Sequence, residues 1–447
     1  MYQLEVHGLH HPCMRRPPLP ARLTLSESPG LRYFSCFYLY VMQGVPAGFS
    51  LSALASYLAD RGVDSAVIGS FIALAGLPWI FQFAWGPLID RFQYSRMGHR
   101  KHWLVLAQLL AFMASLSLLF ITDPTNQLSR LGVVFFFHSM FASVQDGSAD
   151  AMIIDIVPAA QRGRANAFMR GGFLVGTAFG SAVLSVVLHR SGFACAAALQ
   201  SAVLLLLTVL TFFIKLKPGD SLLPVADPHN SRLSRKQQPS LRTMFRGIAA
   251  GMFSPRSLGY FLIAALVYFC FSVFIRAYSF SLVRDYGWSG EGLSVLQGTW
   301  GTLLMLVVVL YGGRLSDRVG HRRLQQQVML AVAVFLLAFC ALHVYWTNRT
   351  FTTAGLIIWN FADPMFSVAC FPVLMALCVR PVEGSQFTAY MALINLCDVL
   401  GSYVSGWVLH LTSPHQLGLL CGFVILLAWI ILQRNPSLYK SGPLVTE

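Results

Sequence analysis

The feature that most constrains this chain is a succession of apolar stretches, each about as long as a bilayer is thick. A helix crosses the hydrocarbon core with about 20 apolar residues. Such stretches run near 32–58, 66–89, 102–121, 128–157, 161–188, 193–215, 257–283, 291–314, 323–346, 351–379, 385–410 and 415–433. Backbone groups in lipid must be satisfied within their own segment, so spans of this length are helices. Charge content agrees: 11% of residues are charged, against about 25% in soluble domains. Too few polar groups remain to cover a water-facing surface. The expected fold class is all-α: a polytopic membrane protein of twelve transmembrane helices.

An even number of spans puts both termini on one side, and the distribution of Lys and Arg says which. Of 32 such residues, Arg61, Arg130, Arg190, Arg284 and Arg349 fall in the loops of one face. Arg170 and Arg276 fall inside spans, and the remaining 25 lie on the face that carries the termini. That face is expected to be cytoplasmic, with the multi-pass chain in the inner (cytoplasmic) membrane. The net charge of +14 is then an attraction to anionic membrane lipids and not a nucleic-acid signature. Residues 1–31 read as a disordered cytoplasmic tail or an over-extended start. They lack the apolar core of a signal peptide, and their His7, His10, His11 and Cys13 are a weak metal-binding pattern. Residues 216–256, rich in Pro and Arg, read as a basic cytoplasmic linker between helical bundles at 32–215 and 257–434, with a tail at 435–447. The nine cysteines form no CxxC or Cys/His spacing. No metal, cofactor or disulfide framework is expected, and the chain is expected to act as a monomer.

One motif occurs twice. Gly86, Leu88, Asp90 and Arg91 form G-x-L-x-D-R, and Gly313, Leu315, Asp317 and Arg318 repeat it. Gly98-His99-Arg100-Lys101 follows the first copy and Gly320-His321-Arg322-Arg323 the second. Both copies sit at the cytoplasmic end of the second span of a half. This makes the chain two pseudo-symmetric six-helix bundles, and it resembles the loop motif between helices two and three of the major facilitator superfamily. Glycine permits close helix approach, and the aspartate can accept hydrogen bonds from a helix N-terminus or from the loop arginines. Gly86, Asp90, Arg91, Arg100, Gly313, Asp317, Arg318 and Arg322 are therefore candidates for a conformational latch. Asp155, at the cytoplasmic end of span four, belongs with them; at about 100° per residue it points away from Asp146 and Asp150.

Charges within spans are costly and mark function. Here they are Asp146 and Asp150 in span four, Arg170 in span five, Arg276 in span seven, Asp363 in span ten and Asp398 in span eleven. At about 1.5 Å rise per residue, Arg170 shares a depth with Asp146 and Asp150, and Arg276 shares one with Asp363. Depth thus predicts an Asp146/Asp150–Arg170 cluster and an Arg276–Asp363 pair. These residues, with Gln43 beside Gly44, Pro46 and Gly48 in span one, are the candidate substrate or proton pathway. His138 is expected to be simply hydrogen-bonded. The ladders Gly172, Gly176, Gly180 and Gly401, Ser402, Ser405, Gly406 are expected at close contacts between the halves.

A closer resemblance is to the AmpG-like permeases. It rests on Tyr40 to Pro46, Gly76-Leu77-Pro78, Trp85 to Arg91, Gln145-Asp146, Asp155 to Pro158 and Ser385 to Thr388. The resemblance implies a secondary transporter importing a bulky organic small-molecule solute. The muropeptide permeases of that group carry two further C-terminal helices. This chain ends at 447, which favours the siderophore-importing branch for pyochelin, yersiniabactin and rhizobactin-type ligands; anhydromuropeptide is the alternative. The chain has no Walker A motif, and buried carboxylates favour protons as the coupling ion. No catalytic constellation for an enzyme is present. A non-transporting sensor on the same fold is the other rival.

Overall fold

The computed structural model describes residues 24–63, 65–92, 95–224, 240–288, 302–379, 382–409 and 411–439. The histidine-bearing start of the chain, the linker at 225–239, the beginning of the span expected at 291–314 and residues 440–447 lie outside them. The described residues form twelve helical rods and one short amphipathic helix. In the first half the rods are α1 (Pro29–Gly48, continued to Asp60), α2 (Ser65–Ile80, continued through Trp85–Arg91), α3 (Lys101–Leu116), α4 (Leu128–Ile156), α5 (Arg162–Ala178, continued to Ser191) and α6 (Phe193–Phe213). The amphipathic α7 (Leu241–Met252) follows. The second half holds α8 (Pro255–Arg284), α9 (Thr302–Val319), α10 (His321–Ala341), α11 (Arg349–Trp359 and Ala362–Leu377), α12 (Glu383–Val408) and α13 (Pro414–Arg434). Nine helices among the described residues are long and apolar enough to cross a membrane. The remaining rods are α1, α4 and α9. Gly, Pro and Gln interrupt α1, three aspartates sit in α4, and Arg314, Asp317 and Arg318 sit in α9.

Local chemistry fixes the helix starts. Ser28 accepts from the Leu31 N–H and Ser254 from the Ser257 N–H, each with proline at the first helical position, where no N–H is needed. The first helix thus begins at Pro29, before the expected 32. Residues ahead of it are tied down, with the Leu25 N–H donating to Lys215 O at 3.0 Å. In α1 the helix after Pro46 relaxes into a π-helical segment, Phe49–Leu54. There the Ser50 hydroxyl bonds Pro46 O at 2.8 Å, a side-chain bond that competes with the backbone ladder.

The glycine ladder of α5 does not face the other half, as its small residues had suggested. It packs on α1 of the same half. A Cβ at Gly44 would lie 2.7 Å from Thr177 N, and one at Gly180 would lie 2.8 Å from Phe49 N. Gly401 likewise packs within the second half, against Ser272 of α8. The halves meet elsewhere: α2 and α4 against α12, and α5 against α9 and α11.

Candidate functional site

Both motif aspartates sit where the halves touch, and each faces the first turn of a helix from the opposite half. Asp90 Oδ2 accepts from Ser385 N at 2.7 Å and Ser385 Oγ at 2.6 Å, at the start of α12. Asp317 Oδ1 accepts from Gly163 N at 3.0 Å, and its Oδ2 from Arg164 N at 3.3 Å, at the start of α5. Unsatisfied N–H groups and the helix dipole favour an anion at both places. The motif glycines make the approach possible. A Cβ on Gly86 would lie 2.5 Å from Ser385 Cα, and one on Gly313 would strike Ala167 Cβ.

The surroundings of the two aspartates differ. Arg100 donates to Asp90 Oδ1 from Nε at 3.1 Å and Nη2 at 2.9 Å, and its Nη1 bonds Asp155. Asp155 also pairs with His99, and Glu383 lies 3.8 Å from Arg100. The Arg100 side chain is fully buried. Burial opposes its charge, but Asp90, Asp155 and Glu383 outweigh that and raise its pKa. Arg100 adopts φ 61°, a left-handed conformation strained for a residue with a side chain. The loop holds it there to reach both carboxylates. In the second copy the equivalent Arg322 is exposed and stacks its guanidinium 5.2 Å from the Tyr439 ring. The partner of Asp317 is instead Arg164, 2.7 Å away from the other half. Arg91 lies over Phe92, and Arg318 is exposed. Among the described residues, the ion pairs that join the halves at this level run through Arg100 and Arg164, and not through the motif residues Arg91, Arg318 and Arg322.

Deeper in the first half, Asp146 and Asp150 are buried on one face of α4. Gln82 Nε2 donates to Asp146 at 2.5 Å from the point where α2 breaks into a 3₁₀ turn. The Tyr40 hydroxyl donates to Asp150 at 2.5 Å from α1. Gln43 is buried beside Asp146. Among the described residues neither aspartate forms an ion pair. His138 Nδ1 donates to Ala111 O at 3.0 Å in a separate buried contact.

The expected Arg170 cluster with these aspartates is not formed. Arg170 Nη2 reaches across the halves to Asp363 Oδ2 at 2.5 Å. Nor does Arg276 meet Asp363: its Nη2 lies 2.8 Å from Asp398 Oδ2, and Ser272 Oγ donates to Asp398 Oδ1 at 2.8 Å. Asp363 stands in the first turn after α11 breaks at Asn360–Phe361, with Pro364 beside it. Arg170, Asp363 and Asp398 line a cavity of about 410 Å³, walled also by Tyr268, Phe271, Trp359, Phe371 and Asn395. Of the ring-dense face of α8, Tyr268 and Phe271 reach this cavity. Phe274 and Tyr278 pack in the core.

Sequence reasoning misses Ser385, Glu383, Arg164, Tyr40 and Gln82 as site residues. In the sequence Arg164 is one loop charge among many, and Ser385 is only part of a resemblance. A polar donor at the start of a span is a generic feature, and which one meets each motif aspartate depends on how the two bundles dock.

The family model described as Major Facilitator Superfamily matches residues 36–406. The anhydromuropeptide permease of Escherichia coli (strain K12) is 24% identical over 376 residues, covering 81% of this chain and 71% of that protein. Among solved structures, the human organic anion transporter MFSD10 aligns with a TM-score of 0.67 at 16% identity, over 91% of this chain and all of that one. The proton:xylose symporter XylE aligns with a TM-score of 0.64 at 14% identity, over 91% of this chain and 96% of that one. Paired six-helix bundles, a repeated aspartate at their contact and a family match over most of the length have one meaning: the chain belongs to the major facilitator superfamily.

Proposed function

We propose that this multi-pass secondary transporter imports a bulky, acidic organic solute of the anhydromuropeptide class, in symport with protons. The observation that carries the reading is the cavity. Arg170 offers its guanidinium group to a solute carboxylate, and the rings of Tyr268, Phe271 and Trp359 offer faces for a sugar or acyl body. Arg170 belongs to one half and Asp363 to the other. A solute anion that takes Arg170 therefore releases a contact that ties the halves together, as alternating access requires. The muropeptide permease among the relatives favours this solute over the ferric siderophore that the sequence had suggested. The basic face, with 25 of 32 Lys and Arg, is assigned to the cytoplasm of a bacterial-type inner membrane, both termini included. Asp90, Asp155, Arg100 and Asp317 then form the cytoplasmic latch between the halves. The test is uptake of a labelled anhydromuropeptide into vesicles carrying the chain. Inward, protonophore-sensitive accumulation is expected. Accumulation that survives collapse of the proton gradient would reduce the protein to a facilitated-diffusion carrier, and absence of any uptake would favour the sensor reading.

A further inference from the structure

Asp146 and Asp150 of α4 have a different environment from the other carboxylates in the described part of the bundle interior. Asp363 and Asp398 each face an arginine. Asp90 and Asp155 share Arg100. Asp146 and Asp150 sit four residues apart on one helix face and are 8% and 2% exposed. What faces them can be named. From α1 come the Tyr40 phenol, Gln43 and the buried Cys36 thiol, and from α2 comes Gln82. From α12, Thr388 lies against Gly147 between them. Two cations at the same end of the first half are engaged elsewhere. Arg32 donates to Ile156 O, and Arg100 is committed to Asp90 and Asp155. Two uncompensated charges buried so close together are not sustained in such a medium.

We propose that Asp146 and Asp150 share one exchangeable proton, and that this is the proton whose movement drives transport. The inference rests on the symport reading above and assigns its coupling site. The step is a simple one. A water-borne proton binds a carboxylate oxygen, entering at the more accessible Asp146, and later leaves from the same pair; no other bond is made or broken. Tyr40 and Gln82 point an O–H and an N–H at the carboxylates. Two buried amide atoms beside the pair have no hydrogen-bond partner, Gln43 Nε2 and Gln82 Oε1. Since Gln82 already gives its amide N–H to Asp146, this oxygen is a ready acceptor for the O–H of a protonated aspartate.

The position also explains how a proton could move a gate. Ala151, next to Asp150, accepts from Arg100 Nη1 at 3.3 Å. A Cβ on Gly384 of α12 would lie 2.7 Å both from Ala151 Cβ and from Asp90 Oδ1. α4 therefore runs from the carboxylate pair directly into the contact between the halves, and ends there with Asp155. A change of charge at Asp150 acts one residue away from the groups that hold Arg100 in place.

The experiment uses the full chain in two preparations. In detergent and without solute, infrared difference spectra between acid and alkaline buffer should show the carbonyl stretch of one protonated carboxylic acid. That band should vanish in Asp150→Asn or Asp146→Asn and shift in Tyr40→Phe. In vesicles, one proton per solute and a one-unit pH gradient should drive about tenfold accumulation of anhydromuropeptide. Asp150→Asn should bring accumulation to the equilibrium level while counterflow exchange of labelled for unlabelled solute continues and loses its pH dependence. Retained counterflow also shows that the variant is folded. A band that persists in both aspartate variants, uphill accumulation by Asp150→Asn, or uptake driven by sodium would each overturn the proposal. If wild-type accumulation ignores the proton gradient while the band behaves as expected, the symport reading fails and the coupling role with it, although the shared proton stands.

Discussion

The two halves repeat one motif and surround it with different chemistry. In the first half, Asp90 lies in a sealed charge network with Arg100, Asp155 and Glu383. In the second, Asp317 has Arg164, whose side chain is 39% exposed, and no arginine of its own loop. The contrast continues towards the middle of the bundle. Aspartates of the first half are met by a phenol and an amide; those of the second, at the cavity wall, are each paired with an arginine. The feature common to both copies, an aspartate on the opposite half's helix start, is what the pseudo-symmetry preserves. Everything that differs concerns how charge is compensated. A half that leaves carboxylates uncompensated is suited to hold protons, and the cavity wall, where Arg170 of the first half meets Asp363 of the second, is suited to hold an acidic solute.

The largest expected effect is at Asp90. Asp90→Asn leaves Arg100 buried with weaker compensation, and breaking such a buried pair costs about 3–5 kcal/mol. Thermal unfolding in detergent should fall steeply, and vesicle uptake should be nearly lost. Asp90→Asn combined with Arg100→Gln should recover part of the stability, because the orphaned charge is then gone. Next comes the α1–α5 seam. Gly176→Ala puts a Cβ against Val41 O and 3.0 Å from Gly44 Cα, backbone that cannot rotate away, at a cost of about 1–3 kcal/mol. Asp317→Asn ranks below both. Its ion pair is half-exposed and worth about 1 kcal/mol or less, so uptake should drop less than in Asp90→Asn. Equal losses at Asp90 and Asp317 would dissolve the contrast between the copies.

How much of this is legible in the sequence follows from what hydropathy measures. Span length and the repeated motif report height in the membrane and the order of helices, and both lead to the observed rods and to the aspartates between the halves. Depth misassigns the ion pairs because it is one coordinate of three. Arg170 matches Asp146 and Asp150 in height yet faces the other half. A helical wheel of α5 contains the answer. Gly172, Gly176 and Gly180 lie on one stripe, and at about 100° per residue Arg170 sits roughly 160° from Gly172. Once the glycines are packed on α1, Arg170 must point outward from its own half, towards Asp363. Similarly Ser272 and Arg276, one turn apart on α8, share the face on which Gly401 packs, and that places Asp398 beside them. The break at Asn360–Phe361 has a partial signal in Asp363-Pro364. The register of α12 that brings Ser385 to Asp90 has none, since it depends on how two bundles dock.

The smallest effects should come from the cavity pairs, and they separate a contact between halves from one within a half. Arg170–Asp363 spans the halves, and Arg276–Asp398 stays inside the second. All four side chains are more than a third exposed, so each pair contributes at most about 1 kcal/mol to stability. Their roles in transport should still differ. Arg170→Gln frees Asp363 and removes a tie that must form and break in each cycle. It should lower the maximal rate, with partial recovery in Arg170→Gln/Asp363→Asn. Arg276 keeps its partner whichever way the halves are tilted, because α8 and α12 move together. Arg276→Gln should therefore leave the maximal rate near wild type and raise the apparent KM by up to about tenfold, because it leaves the Asp398 carboxylate at the cavity wall uncompensated against an acidic solute. Initial-rate uptake over a range of solute concentrations distinguishes the two patterns. A fall in maximal rate for Arg276→Gln as deep as that for Arg170→Gln would mean that Arg276 also works between the halves, and the second half would then not move as one body.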